Sequence, residues 1–452
     1  MGDNSLNLDS RLGFRDGLPK TLVRTGLVSL AGKGAGFLVP IFAAAWFGAG
    51  SDTDAFFLAY AVVLFGVGIW GTGLETVAIS QVARWLSEPR VNVDQELAWA
   101  RRWVLGSAAA GIVVLAAVHL LVILPTVSAH VSWRTSVFSL GILFPMFFAA
   151  ASNSLLTGGL AAAGHFSLAS GSQALRGIGA LVGAALVRGP LGVLSLALGY
   201  TLGEWARWLL LSSYWRYLRR RAARPLHPVD PEVVRGLRRA ALVAAGPQMA
   251  AFALVGVAPL AERWVSGGIG AGAVTYLDYG ARLYAVPSSL FDASVAGVLQ
   301  SYWAGQYYRG TPHVVTHSVR RIVLLALLIA TTVAAVAWFE RQFLVSLALH
   351  RGAFTLADAQ VVAVVFGVLM LGFPTGMAAL VLERAYMAAQ STRVLLAVAV
   401  VKLVVRVSAA IIGGSLFGLI GVAIAQPVTT LADLALLGLF WRRSHLARAT
   451  AS

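Results

Sequence analysis

Apolar residues in this chain fall in long blocks rather than short alternating runs or one-sided stripes. Twelve blocks can be drawn, approximately Leu22–Trp46, Asp54–Ala83, Trp103–Pro125, Ser136–Ala163, Ala169–Val187, Leu191–Tyr214, Ala240–Val265, Gly272–Tyr302, Arg321–Phe339, Ala359–Ala389, Val394–Gly413 and Leu416–Phe440. A membrane-spanning helix needs about 20 mostly apolar residues, so each block predicts one span. Several are longer, which implies tilt or extension past the bilayer. The blocks lack the period-2 alternation of membrane-barrel strands. The expected fold class is therefore an all-α membrane protein with about twelve transmembrane helices.

Composition agrees with the pattern. The 452 residues are 58% hydrophobic and 12% charged, about half the charged share of an ordinary soluble protein. An array of soluble domains is excluded. There is no cysteine, which excludes disulfides, thiolate catalysis and cysteine-based metal sites.

The basic residues orient the spans. With the N-terminus inside and the spans alternating, 23 Lys and Arg fall on the inside, against four outside, Arg134, Arg188, Arg341 and Arg351. The positive-inside rule then predicts both termini in the cytoplasm. The polar lead of about twenty residues predicts that the first span is an uncleaved anchor. The net charge of +16 is mostly juxtamembrane, where anionic lipids are its natural partners. A nucleic-acid role needs a soluble basic face, and the pattern provides none.

Weak internal similarity suggests two halves. Gly48-Ala49-Gly50 and Gly270-Ala271-Gly272 are offset by 222, Phe144-Pro145 and Phe373-Pro374 by 229, and Ala162-Ala163 and Ala388-Ala389 by 226. Six helices per half preserve orientation. The halves are thus expected as parallel repeats about a pseudo-two-fold along the membrane normal, with a substrate cavity between them. The expected extents are 1–220 for the first lobe, 221–239 for a basic cytoplasmic linker and 240–452 for the second lobe.

Charges inside the spans are the candidate chemistry. Eight are basic: Lys33, Arg176, Arg207, Arg263, Arg282, Arg384, Lys402 and Arg406. The acids include Glu75, Glu204, Glu262, Asp278, Asp292, Glu383 and Asp433. A charge at the bilayer centre costs at least about 2.5–3.5 kcal/mol, so each needs a cavity or a partner. Glu204 and Arg207 read as a local i,i+3 bridge or a snorkelling pair. Glu262-Arg263 reads equally as an interfacial anchor or a functional pair, and Glu383-Arg384 as a snorkelling or functional one. Asp278 and Arg282 have i,i+4 spacing for an intrahelical bridge. Arg282, about ten residues into its span and so about 15 Å deep, is also placed to line a cavity. Lys402 and Arg406 repel at i,i+4 and require an aqueous wall or acidic neighbours. Lys33 sits among glycines in a span suited to bending or to close packing. Glu75 reads as a proton carrier or as the partner of a base. Gly32-Lys33-Gly34 lacks Walker A spacing. No metal cluster, nucleophile elbow or cofactor motif is apparent, so no enzyme activity is expected.

Several stretches carry a family resemblance. Phe47-Gly48-Ala49-Gly50 followed by Thr53-Asp54-Ala55-Phe56-Phe57 resembles the first loop of the MurJ/MviN lipid II flippases. So do Tyr279-Gly280-Ala281-Arg282-Leu283 with Pro287-Ser288, Arg351-Gly352-Ala353-Phe354-Thr355, and Arg384-Ala385-Tyr386 through Gln390-Ser391-Thr392-Arg393. The resemblance implies the fold of the multidrug/oligosaccharidyl-lipid/polysaccharide exporter superfamily, with two lobes working by alternating access. It implies a polyprenyl-pyrophosphate-linked saccharide as substrate and envelope glycan-assembly proteins as partners. It also implies that Arg282 contacts the pyrophosphate, and that Asp54 lies near the periplasmic gate. The chain differs from the family at Lys33, where the family has arginine, and at Val39-Pro40 and Ala285, where it has charged residues. The family's usual fourteen spans exceed the twelve read here. The resulting expectation is a lipid-linked saccharide flippase, with Lys33, Arg282, Arg263 and Arg176 binding substrate, and Asp54, Glu75 and Asp278 gating or coupling. The alternatives are a cation-coupled drug or metabolite exporter of the same architecture and a non-transporting envelope-assembly scaffold.

Overall fold

The computed structural model describes residues 34–88, 91–221, 231–292, 299–300, 302–303, 306, 312–389 and 391–449, and no strand occurs among them. The helices are α1 Gly34–Phe47, α2 Ser51–Ser87, α3 Val93–Val127, α4 Trp133–Ala162 and α5 Phe166–Leu191. Then come α6 Leu194–Arg221, α7 Pro231–Gly267, α8 Ala273–Phe291, α9 Pro312–Phe339 and α10 Arg341–Leu349. The last are α11 Leu356–Leu371, α12 Phe373–Ala388 and α13 Thr392–Ala449. Among the described residues seven helices are individually long and apolar enough to cross a membrane, or eight when the α11–α12 pair, bent by 42°, counts as one. The expected count of twelve is finer than this. Each predicted block nevertheless overlaps an observed helix, and α13 holds two of them.

Helix-only architecture follows from the solvent. In hydrocarbon every backbone polar group needs an internal partner, and a helix satisfies nearly all of its own. The outside of the helices is correspondingly apolar: Leu121, Leu186 and Phe339 are 76%, 77% and 80% exposed. In water such a surface would be a large unsatisfied patch; against lipid tails it costs nothing.

Interruptions occur where the sequence permits them. In α2, the glycine-bearing stretch Gly68–Gly73 widens to a π-helical turn, just before Glu75. In α3, His119–Ile123 does the same, and the His119 Nε2 lies 2.8 Å from the Ser136 hydroxyl of α4. α13 breaks at Gly418, whose φ of +58° would strain any residue with a Cβ. α11 opens with a capping box between Thr355 and Asp358, which satisfies two otherwise orphaned donors.

Packing divides the chain into two units. One comprises residues 1–39, 59–125 and 133–256, the other 40–58, 126–132 and 257–452. The segments 40–58 and 126–132 thus group with the C-terminal helices, and 240–256 with the N-terminal ones. Residues 231–239 of the expected linker are the first turns of α7, and 222–230 lie outside the described residues. Within the first unit, α5 and α6 approach through Gly179 and Gly183 against Gly199 and Gly203, as small residues allow in lipid. Within the second, the core of α8, α11 and α13 is built from Leu277, Val365, Leu369, Ala410 and Val422.

Candidate functional site

In the C-terminal unit, three stretches far apart in sequence converge around the start of α8. The Asp54 side chain, fully buried near the start of α2, accepts hydrogen bonds from the Gly272 N–H at 2.6 Å, the Thr275 N–H at 2.8 Å and the Thr275 hydroxyl at 2.6 Å. It is a capping carboxylate supplied from another helix, placed against the positive end of the α8 dipole. The loop before α2 docks on the loop before α11. The Ala353 N–H donates to the Ala45 carbonyl at 2.8 Å, and Gly48, at φ +64°, leaves no room for a Cβ beside the Ala353 carbonyl. Tyr279 packs edge-on against Phe57 and Phe354 at 5.5 and 5.6 Å between ring centroids. The Tyr276 hydroxyl donates to Asp358 at 2.6 Å.

One helical turn along α8 from this junction lies the main charge cluster. Asp278 is buried and takes two guanidinium groups. Arg263 of α7 donates through Nη2 at 2.6 Å and also bonds the Pro259 carbonyl at 3.0 Å. Arg282 donates through Nε to the other carboxylate oxygen. The Arg282 guanidinium lies over the Phe57 ring, 5.5 Å from its centroid. Both arginine side chains stay about one-fifth exposed while the carboxylate they share is 2% exposed. A buried carboxylate cannot easily stand alone; here it fixes a guanidinium on each of its two oxygens.

Among the described residues of this unit, three further cations form ion pairs. Arg406 forms a two-pronged bridge to Glu262 at 2.6 and 3.0 Å. Lys402 sits between Glu383 at 3.0 Å and Asp433 at 2.5 Å. Arg384 bonds Asp292 at 2.9 Å. The repulsion expected between Lys402 and Arg406 is relieved because each turns to carboxylates from other turns or helices.

The N-terminal unit contains a second carboxylate with two arginines. Glu204 of α6, fully buried, accepts from Arg176 Nε of α5 at 2.7 Å, from Arg207 Nη1 at 3.0 Å and from the Asn153 amide of α4 at 2.8 Å. Arg207 also donates to Ser172 and Thr157, each at 3.1 Å. The expected local Glu204–Arg207 bridge is thus one edge of a network over three helices. Glu75, half-buried on α2, lies within electrostatic reach of Arg207, Arg176 and Glu204. Lys33 lies outside the described residues. Phe57 as a platform for Arg282, and Gly272 and Thr275 as partners of Asp54, were not read from the sequence. Phe57 falls in a motif stretch and Gly272 in the internal repeat, whereas Thr275 falls in neither.

These features belong to a transporter fold. The chain is similar to an inward-facing multidrug resistance MATE family transporter of the MOP superfamily, with a TM-score of 0.67 and 15% identity over 94% of this chain and 99% of that one. A MOP superfamily transporter from Pyrococcus furiosus matches with a TM-score of 0.56 and 17% identity, over 94% and 95%. An inward closed conformation of the lipid II flippase MurJ matches with a TM-score of 0.76 and 17% identity, over 93% and 87%. The protein is a multi-pass membrane protein with this fold. By its match to the lipid II flippase MurJ family model over residues 43–451, the chain belongs to that family. No curated protein is significantly similar to it in sequence.

Proposed function

We propose that the chain moves a polyprenyl-pyrophosphate-linked saccharide, lipid II or a related envelope glycan precursor, across the cytoplasmic membrane by alternating access. Family membership supports this reading. The observation that carries it is the Arg263–Asp278–Arg282 cluster, two partly exposed guanidiniums held on one buried carboxylate by neighbouring helices. Arg282 and Arg263 attract the pyrophosphate, and in a low-dielectric setting such attraction exceeds its value in water. Lys33 adds a further cation, and Arg176, held by Glu204, a weaker one. The prenyl tail stays in lipid. Translocation also requires release, so the substrate must bind the inward and outward states unequally. Asp278 supports this by recapturing both guanidiniums when the phosphate leaves. Asp54 gates by making or releasing the cap on α8, and Glu75 couples by taking up or losing a proton beside Arg176 and Arg207. No bond is made or broken in the substrate, so the protein is not an enzyme. Both termini lie in the cytoplasm.

The two partly exposed guanidiniums disfavour a cation exporter, whose cavity walls would need to present carboxylates. The test is reconstitution in liposomes with lipid II, another lipid-linked glycan and a cationic dye. Arg282→Ala removes a charged hydrogen bond worth about 1.5–3 kcal/mol, so saccharide flipping should fall about ten- to a hundred-fold, with Arg282→Lys retaining part of it. Dye export without saccharide flipping, or full flipping by Arg282→Ala, overturns the reading.

A further inference from the structure

A separate feature lies in the N-terminal unit, where α3, α4 and α6 enclose a groove of about 370 Å3. This is within the range of about 300–1,000 Å3 typical of small-molecule pockets. Its walls are largely apolar, from Leu97, Leu155, Leu156, Trp208 and Trp215, and Arg101 and Arg216 stand on its lining. The Arg101 guanidinium lies over the Trp208 ring at 5.1 Å from the centroid. Among the described residues Arg216 bonds its own helix, through Nε to the Ser212 carbonyl at 3.3 Å and through Nη2 to the Ser213 hydroxyl at 3.5 Å. The carboxylate of the groove, Asp94, is already engaged by Arg219 and by the Trp215 indole, each at 3.2 Å.

The contrast with the deeper arginines is informative. Arg176, Arg207, Arg263, Arg282, Arg384 and Arg406 each sit on a carboxylate. Among the described residues no ion pair involves Arg101 or Arg216, although both border an apolar groove. An anion from outside the chain would suit both. The charge count places this end of α3 and α6 on the cytoplasmic side, where anionic lipid headgroups are abundant and basic pockets between spans bind them. Tryptophans at the same level suit the boundary between headgroups and tails.

We propose that this groove is a binding site for an anionic glycerophospholipid of the inner leaflet. The phosphate sits on Arg101 and Arg216, and one acyl chain lies along the wall of Leu97, Leu155 and Trp208. A zwitterionic lipid fits the apolar wall equally but carries an ammonium that the two guanidiniums repel, so charge selects the occupant. The site is independent of the flippase reading, because no residue of the Arg282 cluster takes part.

The test uses the full chain in detergent, loaded with an equimolar mixture of phosphatidylglycerol and phosphatidylcholine, washed, and assayed by mass spectrometry for retained lipid. The wild type should retain phosphatidylglycerol selectively. An arginine near the bilayer surface contributes about a factor of five, so Arg101→Gln with Arg216→Gln should weaken retention about thirty-fold, and Lys at both positions should restore most of it. Ala98→Trp, at an exposed position lining the groove, should displace the lipid with both arginines intact. Unchanged melting of each variant confirms folding. Equal retention of both lipids by the wild type overturns the proposal, as does undiminished phosphatidylglycerol on the double glutamine variant. Full retention by Ala98→Trp reduces the effect to surface charge and also overturns it. Displacement of phosphatidylglycerol by a polyprenyl pyrophosphate, lost in the double variant, would instead assign the groove to substrate.

Discussion

Asp54 offers the sharpest test of how the loops before α2, α8 and α11 are held together in the C-terminal unit. Its carboxylate meets three donors, the N–H groups of Gly272 and Thr275 and the Thr275 hydroxyl, at 2.6–2.8 Å and with no exposure to solvent. Asp54→Asn preserves shape but turns one acceptor into a donor. Whichever way the amide faces, one buried N–H is left opposite an NH2. An unsatisfied buried donor costs about 1–3 kcal/mol, and losing the anion at the helix N-terminus adds about 0.3–1 kcal/mol, so a loss of about 2–3 kcal/mol is expected. Asp54→Ala strands both backbone donors and should cost about 4 kcal/mol on the same basis, because the hydroxyl can rotate to another acceptor. Thr275→Val removes the hydroxyl alone and should cost about 1 kcal/mol. The assay is thermal or denaturant unfolding of the purified protein in one detergent, run as a double-mutant cycle of Asp54→Asn with Thr275→Val. A coupling energy above about 0.5 kcal/mol is expected for groups in one network. Wild-type stability of Asp54→Asn would show that the carboxylate does not cap α8, and the account of this junction would fail.

Further outcomes follow from the same physics. Glu204→Gln leaves Arg176 and Arg207 without their shared anion and should destabilise the N-terminal unit by about 3–5 kcal/mol, read as loss of monodisperse protein on heating. Arg406→Leu strands the buried Glu262, whereas Arg406→Leu with Glu262→Leu removes both ions; the double variant should melt higher than the single, and the reverse order would refute a dry bridge. Gly48→Ala puts a Cβ 2.8 Å from the Ala353 carbonyl at φ +64° and should cost about 1–3 kcal/mol, detectable as a lowered melting temperature, while Gly36→Ala, with open space around it, should not.

Hydropathy alone established that this is a helical membrane protein and roughly where its spans lie, since in lipid each helix satisfies its own backbone and the signal is local. Charge count gave an expected orientation for similar reasons. The stretches around Asp54 and Arg282 pack together at the start of α8, and the Asp278–Arg282 bridge was legible because i,i+4 spacing is a property of one helix. Partnerships across helices were not legible. Nothing in the sequence links Glu262 to Arg406, 144 positions away, or Asp54 to Thr275, 221 away. Arg263 reads from sequence as either an anchor or a functional residue, and its bond to Asp278, 15 positions away on the next helix, has no local signature. The number of ionised side chains in the bilayer is a matter of composition, but which of them neutralise each other depends on helix rotation and packing, and those arise only when the whole chain has folded.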